Sequence, residues 1–309
     1  MAILIITPTL NPDPWAREFR RLAPELDLRI WPDVGDPAGI TLSFTWKAPM
    51  GVFRRFENLG CIASLGSGVD HILSDPDLPA GVPVTRVVDP SAAQYMREYV
   101  AMAVLNHCRW WSFFEKCQSQ TVWRPKLPRF AETTQVGVMG MGQMGMAVAQ
   151  TLSFLGFQVT GWRRTAQIET EFRIFNGEAG LGKFLSTAQI LVCLLPLTPQ
   201  TRDILNLRTF SALPQGAYII NVARGELLIE EDLLSAIDSG HLSGACLDVF
   251  RTEPLPSEHP FWRHGQIVVT PHISSNTNPK KVVPAVLENY RRLKSGEPLL
   301  HQVDLSKGY

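Results

Sequence analysis

The stretch Gln135–Gly145, QVGVMGMGQMG, decides the fold of this 309-residue chain. Its apolar first half is typical of a buried strand. Three glycines follow with the spacing GxGxxG: Gly140, Gly142 and Gly145. In this spacing the first glycine makes a tight turn, the second lets the backbone approach a pyrophosphate, and the third lets a helix pack on the strand. The pattern therefore predicts a dinucleotide site, with the phosphates near the amides of Gln143 and Met144 at the helix N-terminus.

A glycine-rich turn without a ligand is the alternative interpretation, and the residues after the next predicted strand help to decide. An acidic residue there would accept a hydrogen bond from the ribose 2′-hydroxyl of NAD. Here Gln158–Gly161 leads instead into Trp162, Arg163, Arg164 and Thr165. Arginine matches a 2′-phosphate with forked, charged donors, although two arginines on a solvated turn would look the same. The sequence favours NADP(H) as the cofactor and leaves NAD(H) open.

Short apolar runs alternate with helical patterns on both sides of this turn. After it, strand-like runs are Ile190–Leu195, Ala217–Asn221, Gly244–Val249 and Ile267–Thr270. Strands that alternate with helices indicate crossover connections and a mainly parallel sheet. We therefore predict an α/β protein with two doubly wound parallel-sheet domains. A helical stretch from Ala92 to about Cys117 would link them, followed by a Pro-rich aromatic arm.

Composition excludes several classes of protein. Lysine plus arginine and aspartate plus glutamate both number 29, so the chain lacks the basic surface of a nucleic-acid binder. Hydrophobic residues make up 45%, enough for packed cores. The five cysteines form no CxxC pair, which argues against a disulfide framework and a zinc site and favours a reducing compartment. No apolar run reaches the ~18 residues of a membrane span. A cytoplasmic protein without a metal or a membrane partner is expected.

Three segments after predicted strands carry candidate catalytic residues. Arg224 follows one strand, Glu253 the next and His272 the last. Arginine can hold a planar carboxylate, and a glutamate beside a histidine stabilises an imidazolium that acts as a general acid. Taken singly, each has a plainer interpretation: a cap, a solvated charge, a packed histidine. Their joint position after a dinucleotide turn favours catalysis.

These segments resemble the NAD(P)-dependent D-2-hydroxyacid dehydrogenase family, and most closely its glyoxylate/hydroxypyruvate reductase branch. The similarity spans essentially the whole chain. Its motifs are Leu65–Asp70, Met139–Gly145, Leu195–Thr201, Asn221–Gly225, Asp248–Pro256 and Thr270–Ile273. The resemblance implies a Rossmann cofactor domain, residues 99–276, inserted into a flavodoxin-like substrate domain of residues 1–98 and 277–309.

The resemblance also implies roles for individual residues. Arg224 would bind the substrate carboxylate and keto oxygen, His272 would donate the proton, and Glu253 would keep that histidine protonated. In the first domain, Ser67–Gly68 would offer backbone amides to the carboxylate, and Trp46 would wall the pocket. The implied reaction is the NADPH-dependent reduction of glyoxylate to glycolate and of hydroxypyruvate to D-glycerate.

Further residues are implied to contact the dinucleotide. Val222–Ala223 and Asp248 would position the nicotinamide, and Leu195–Pro196 would flank the adenosine. Ser274, which replaces the small apolar residue or glycine usual after the histidine, is assigned to the same site. The family pairs two subunits through the helix and arm around Trp110–Trp111 and Trp123, so a homodimer is expected. Two alternatives stay open: a dehydrogenase for another 2-keto acid, and a non-catalytic dinucleotide-sensing protein on the same fold.

Overall fold

A computed structural model describes residues 1–164 and 170–305 of the chain. The chain divides into two compact units, Met1–Pro90 with Thr277–Tyr309, and Ser91–Asn276. The second unit is thus an insertion in the sequence of the first. The boundary predicted at residues 98 and 99 falls inside a helix and stays a prediction. Within the described residues, no helix is both long and apolar enough to cross a membrane.

Strands and helices alternate along the described chain. The strands are β1 Ala2–Ile6, β2 Asp27–Ile30, β3 Ile40–Thr45, β4 Cys61–Ser64, β5 Val84–Thr85, β6 Gln135–Met139, β7 Gln158–Arg163, β8 Arg173–Asn176, β9 Ile190–Cys193, β10 Ala217–Asn221, β11 Leu242–Leu247 and β12 Ile267–Val269. The α-helices are α1 Asp13–Leu22, α2 Asp70–Leu73, α3 Pro90–Cys108, α4 Trp111–Ser119, α5 Gln143–Phe154, α6 Gly177–Leu185, α7 Leu207–Ser211, α8 Glu230–Asp238 and α9 Pro279–Ser295.

Each unit is built on one parallel sheet. In the first unit the strand order is β2-β1-β3-β4-β5, the flavodoxin-like order. In the second unit it is β12-β11-β10-β9-β6-β7-β8, which is the Rossmann order extended by one strand. Both orders confirm the predicted fold class. They also place the switch point of the second sheet between β6 and β9, where such sheets bind ligands.

The sheet of the second unit is buried on both faces, which explains its continuous apolar strands. Along β10, Ile219 packs into the core on one face, and Tyr218 and Ile220 pack into the core on the other. Burying a side chain of this size stabilises the fold by roughly 1.5–3 kcal/mol. Such strands fix the positions of the loops that leave their carboxyl ends.

The helical stretch predicted from Ala92 to Cys117 is two helices rather than one. Trp110, between α3 and α4, has a left-handed φ of 61°. Its indole Nε1 donates to the carbonyl of Leu127 at 2.7 Å, and the Lys126 Nζ lies 3.3 Å from the ring centroid. These contacts with the following arm fix the break, which the residues of the helix alone do not signal.

Candidate active site

The turn between β6 and α5 has the close contacts that its glycines predict. Gly140 has φ of 105°, and a Cβ there would lie 2.7 Å from the carbonyl oxygen of Leu194, which follows β9. A Cβ on Gly145 would lie 1.9 Å from the Gly140 carbonyl oxygen. A Cβ on Gly142 would meet no atom within 4 Å. The first and third glycines are therefore required by packing, and the second borders open space.

Helix α5 begins at this open space. Gly142 is its N-cap and offers no side chain to the helix, and the first intrahelical bond runs from the Met146 amide to the Gly142 carbonyl at 2.9 Å. The amides of Gln143, Met144 and Gly145 precede that bond, where a helix leaves its donors without intrahelical partners. Donors and helix dipole together fit a pyrophosphate. The residues present thus suit the dinucleotide that the sequence predicts.

The four residues predicted to select the cofactor lie in different surroundings. Trp162 is buried in the core, with Nε1 donating to the Gly177 carbonyl at 3.0 Å. Arg163 is half-buried, whereas Arg164 is exposed and donates from Nη1 to Gln200 Oε1 at 3.2 Å. Thr165 lies outside the described residues. Among the three that the structure describes, Arg164 is therefore the one that faces solvent at the end of β7.

The loop after β9 lies across the switch point. Leu195 is buried, and Pro196 is exposed. Thr201 Oγ1 donates to the Pro196 carbonyl at 2.6 Å and accepts from the Thr198 amide at 2.9 Å. The loop is thus closed on itself, and its Gln200 meets Arg164. The structure brings these two predicted cofactor segments together.

Arg224 follows β10 in a loop held by Asn221. The Asn221 side chain donates to the Arg224 carbonyl at 3.0 Å and accepts from the Ala223 amide at 3.2 Å. Val222 and Ala223 are buried, and Arg224 is half-buried, with Nη1 donating to the Ala223 carbonyl at 2.7 Å. The bonds of Asn221 fix the backbone of this loop, and the bond to the Ala223 carbonyl fixes the position of the Arg224 guanidinium.

The Arg224 and Glu253 loops touch at Gly225. A Cβ on this glycine would lie 1.9 Å from the carbonyl carbon of Phe250, so only glycine fits. The Phe250 amide in turn donates to Glu253 Oε1 at 3.1 Å. Because β10 and β11 are neighbours, these two predicted catalytic residues leave the same edge of the sheet.

Glu253 and His272 form a direct pair. Nδ1 of His272 lies 2.9 Å from Oε2 and 3.1 Å from Oε1 of Glu253. The imidazole is 29% exposed and the carboxylate 18%, so this pair lies at the edge of the interior. The carboxylate fixes the proton on Nδ1, which leaves Nε2 as the ring atom for proton exchange. The predicted pairing is present in the structure.

Asp248 holds the loop that carries His272. Its fully buried carboxylate accepts from Thr270 Oγ1 at 2.6 Å and from the amides of Ile273 at 2.9 Å and Ser274 at 2.8 Å. Its backbone carbonyl accepts from the His272 amide at 2.8 Å. Asp248 and Ser274, both predicted to contact the cofactor, are thus joined to each other.

Tyr99 on α3 extends this network, and sequence reasoning missed it. Its hydroxyl meets Thr270 Oγ1 and lies 3.4 Å from Cys246 Sγ. Burial raises the pKa of the Cys246 thiol to about 11 and raises the pKa of the Tyr99 hydroxyl as well, so both stay protonated at neutral pH. Tyr99 and Thr270 are 171 residues apart, and no local motif marks their contact.

The residues predicted to bind substrate in the first unit lie at its strand ends. Trp46 follows β3 and is half-buried, and a Cβ on Gly66 would lie 2.7 Å from its Cζ3 atom. Ser67 is exposed and Gly68 is half-buried, in the turn after β4. Trp46 therefore lies directly against the backbone of that glycine-rich turn.

The chain is similar to known proteins over its whole length. Residues 101–274 match the family described as D-isomer specific 2-hydroxyacid dehydrogenase, NAD binding domain. The chain is 40% identical, over the full length of both proteins, to the glyoxylate/hydroxypyruvate reductase A of Photorhabdus laumondii.

Two solved structures are similar across the chain. One is a D-isomer specific 2-hydroxyacid dehydrogenase from Xanthobacter autotrophicus in complex with NADPH and MES, with a TM-score of 0.91, 40% identity, and coverage of 100% of this chain and 99% of that one. The other is an NADPH-dependent glyoxylate/hydroxypyruvate reductase from Sinorhizobium meliloti in complex with NADP and sulfate, with a TM-score of 0.92, 34% identity and full coverage of both chains.

Proposed function

Because the chain belongs to the D-isomer specific 2-hydroxyacid dehydrogenase family, we propose that it reduces small 2-keto acids, glyoxylate and hydroxypyruvate, with NADPH. The observation that carries this proposal is the His272–Glu253 pair, with 2.9 Å between Nδ1 and Oε2. His272 follows β12 and Glu253 follows the neighbouring strand β11. Arg224 follows β10, one strand further along the sheet. Proton donor, charge partner and carboxylate ligand thus leave one edge of one sheet.

The proton comes from His272 in this proposal. Glu253 stabilises the imidazolium through Nδ1, and Nε2 donates its proton to the keto oxygen as the alcohol forms. NADPH, when bound, supplies the hydride that reduces the keto carbon. In the reverse direction the neutral imidazole accepts the proton of the hydroxyl group. The hydrogen bonds of Asp248 fix the loop that carries His272, so the imidazole keeps its position in both directions of the reaction.

The substrate carboxylate is bound by charge and by backbone donors. The Arg224 guanidinium can hold two oxygens in one plane, which a lysine cannot do. In the first unit, the amides of Ser67 and Gly68 are proposed as further donors to this carboxylate, with Trp46 as an apolar wall. A 2-keto acid offers the carboxylate and the adjacent keto oxygen that the Arg224 guanidinium would bind.

NADP(H) is the proposed cofactor, in line with the ligands of the two similar structures. The α5 N-terminus and Gly142 would receive the pyrophosphate, and Arg164 would meet the 2′-phosphate. Val222–Ala223 would border the nicotinamide. Trp162 would contribute only as a buried support of the strand that presents Arg164.

The decisive experiment follows NADPH absorbance in the presence of glyoxylate or hydroxypyruvate. We expect turnover that requires His272 and is lost in His272→Gln. The matched control is His264→Gln, because His264 also pairs with an acid, Asp238 at 3.2 Å, but lies away from the three strand ends. Turnover with a different keto acid only would change the assigned substrate. Cofactor binding without turnover of any keto acid would instead favour a dinucleotide-sensing protein.

We also propose a homodimer formed through the arm after α4. Four of its apolar side chains are strongly exposed in the single chain: Val122 48%, Trp123 97%, Leu127 82% and Phe130 56%. An exposed apolar patch of this kind is typical of a protein interface. Light scattering should give twice the chain mass, and Trp123→Ser combined with Leu127→Ser should give the monomer mass. The cytoplasmic location stays a prediction.

A further inference from the structure

His71, which no motif above singled out, makes contacts in the first unit that connect both predicted substrate-binding elements. Its ring centroid lies 4.6 Å from that of Trp46. Its Nε2 lies 3.3 Å from Ser64 Oγ, at the end of β4. Its Nδ1 accepts from the Lys47 amide at 3.2 Å.

The hydrogen bond from Lys47 fixes the tautomer of His71. A backbone N–H can only donate, so Nδ1 must carry a lone pair and the ring proton of the neutral imidazole lies on Nε2. That proton is donated to Ser64 Oγ. The same contact helps to hold Lys47 at a left-handed φ of 50°, a conformation that is unfavourable for a residue with a side chain.

Ser64 links His71 to the glycine-rich turn through hydrogen bonds of its hydroxyl group. Its hydroxyl donates to the Gly68 carbonyl at 2.9 Å and accepts from the Gly66 amide at 3.2 Å. With the bond from His71, the one proton and both lone pairs of the hydroxyl are used. The two ends of the turn Gly66–Gly68 are therefore tied to one oxygen atom.

We infer that His71, acting through Ser64, is a positioning residue that sets the Gly66–Gly68 turn and the Trp46 ring for the substrate carboxylate. The inference rests on the proposed function, since it concerns the same substrate. It assigns to His71 no contact with substrate and no proton transfer. Its effect is on how well the keto acid binds, because the turn amides and the Trp46 ring belong to the predicted substrate pocket.

The test uses variants that remove the bonds and keep the shape. His71→Phe keeps a ring against Trp46 but loses the hydrogen bonds to the Lys47 amide and to Ser64 Oγ. Ser64→Ala removes the shared oxygen. For each we expect the KM for glyoxylate to rise about tenfold, the kcat to change less than threefold, and the Kd for NADPH to stay the same. His71→Gln retains an amide donor for Ser64 and should recover part of the loss in KM.

The matched control is Ser43→Ala. Ser43 is a fully buried serine on the adjacent strand β3, and its Oγ has no hydrogen-bond partner among the described residues. Its removal should leave the KM unchanged. If His71 acts through Ser64, the variant that combines His71→Phe with Ser64→Ala should have the same KM as Ser64→Ala alone. Independent effects would instead multiply the two increases in KM.

Failure of this inference differs from failure of the proposed function. The inference fails if the wild type is active and the KM of His71→Phe and Ser64→Ala equals that of the wild type, or if these variants lose kcat alone. His71 would then be a packing residue. If the wild type turns over no keto acid, the proposed function fails. Calorimetry with oxalate, a planar two-carbon dianion, on the NADP-loaded protein then decides: weaker binding in both variants supports the positioning role, and equal binding overturns it.

Discussion

The Asp248 carboxylate accepts a hydrogen bond of 2.8 Å from the backbone amide of Ser274, inside the second unit. Both residues are buried, and the same carboxylate also accepts from Ile273 and Thr270. The residues on either side of His272 are thereby bonded to Asp248, the residue that follows β11. Ser274 makes this contact through its backbone amide and not through its hydroxyl.

Asp248→Asn should therefore destabilise the protein and lower its activity. The new side-chain amide would face the Ser274 amide, which places two donors together in a buried site. An unsatisfied buried donor costs about 1–3 kcal/mol in the free energy of unfolding. Urea unfolding measures this loss, and kcat should fall because the same loop carries His272. Asp238→Asn, at a surface pair, is the control, and equal stability of both variants would contradict the interpretation.

Gly142→Ala should weaken NADPH binding without loss of stability. The backbone there has φ of −86°, which alanine adopts readily, and the new methyl group would enter the open space next to the α5 N-terminus. We expect the Kd for NADPH to rise about tenfold, equivalent to about 1.4 kcal/mol. Gly182→Ala is the matched control, since a Cβ there also meets nothing within 4 Å but lies on α6. An unchanged Kd in Gly142→Ala would place the pyrophosphate elsewhere.

Arg164→Ala should weaken NADPH more than NADH. Only NADPH carries the 2′-phosphate, and Arg164 is exposed, so solvent reduces the value of the contact to about 1 kcal/mol. The ratio of kcat/KM for NADPH to that for NADH should fall about fivefold. Arg208→Ala, an exposed arginine on α7, should leave the ratio unchanged. An equal loss for both cofactors would remove Arg164 from the phosphate site.

Local patterns explain why much of this fold is predictable. The apolar run Gln135–Met139 predicts the β6 strand with its observed ends, because this run and the glycines after it are constraints on adjacent residues. The apolar run Ala217–Asn221 likewise predicts the β10 strand with its observed ends. The location of Arg224, Glu253 and His272 at one edge of the sheet is predictable, because parallel strands bring their carboxyl ends to the same edge.

Features that depend on distant contacts are not predictable in this way. The β8 strand, RIFN, is short and partly exposed, and its pairing with β7 rather than its pattern makes it a strand. The break at Trp110 depends on Leu127 and Lys126 in the arm. The hydrogen bond of Tyr99 to Thr270 and that of His71 to Ser64 depend on which elements the fold brings together, so only the structure reveals them.

Arg224→Lys should lose most of the activity although the positive charge is kept. A lysine is a single point donor and cannot bind two oxygens in one plane, so the KM for the keto acid should rise and kcat should fall. A combined loss of about 3 kcal/mol, the upper value for a charged hydrogen bond, corresponds to more than a hundredfold in kcat/KM. Thermal unfolding should be unchanged. Kinetics close to the wild type would remove Arg224 from the site.

Glu253→Gln tests the charge of the pair that the 2.9 Å contact with His272 implies. Glutamine has the same shape but no negative charge, so it stabilises the imidazolium less. Reduction uses the imidazolium as proton donor, so kcat/KM for the keto acid should fall about tenfold, equivalent to about 1.4 kcal/mol of lost charge stabilisation. The measurement is kcat/KM in steady state, with the Kd for NADPH as the check that the cofactor site is intact. Glu230→Gln, which removes the charge beside His259 at 3.3 Å, should leave kcat/KM unchanged. An unchanged kcat/KM in Glu253→Gln would mean that the charge of Glu253 does not support proton donation by His272.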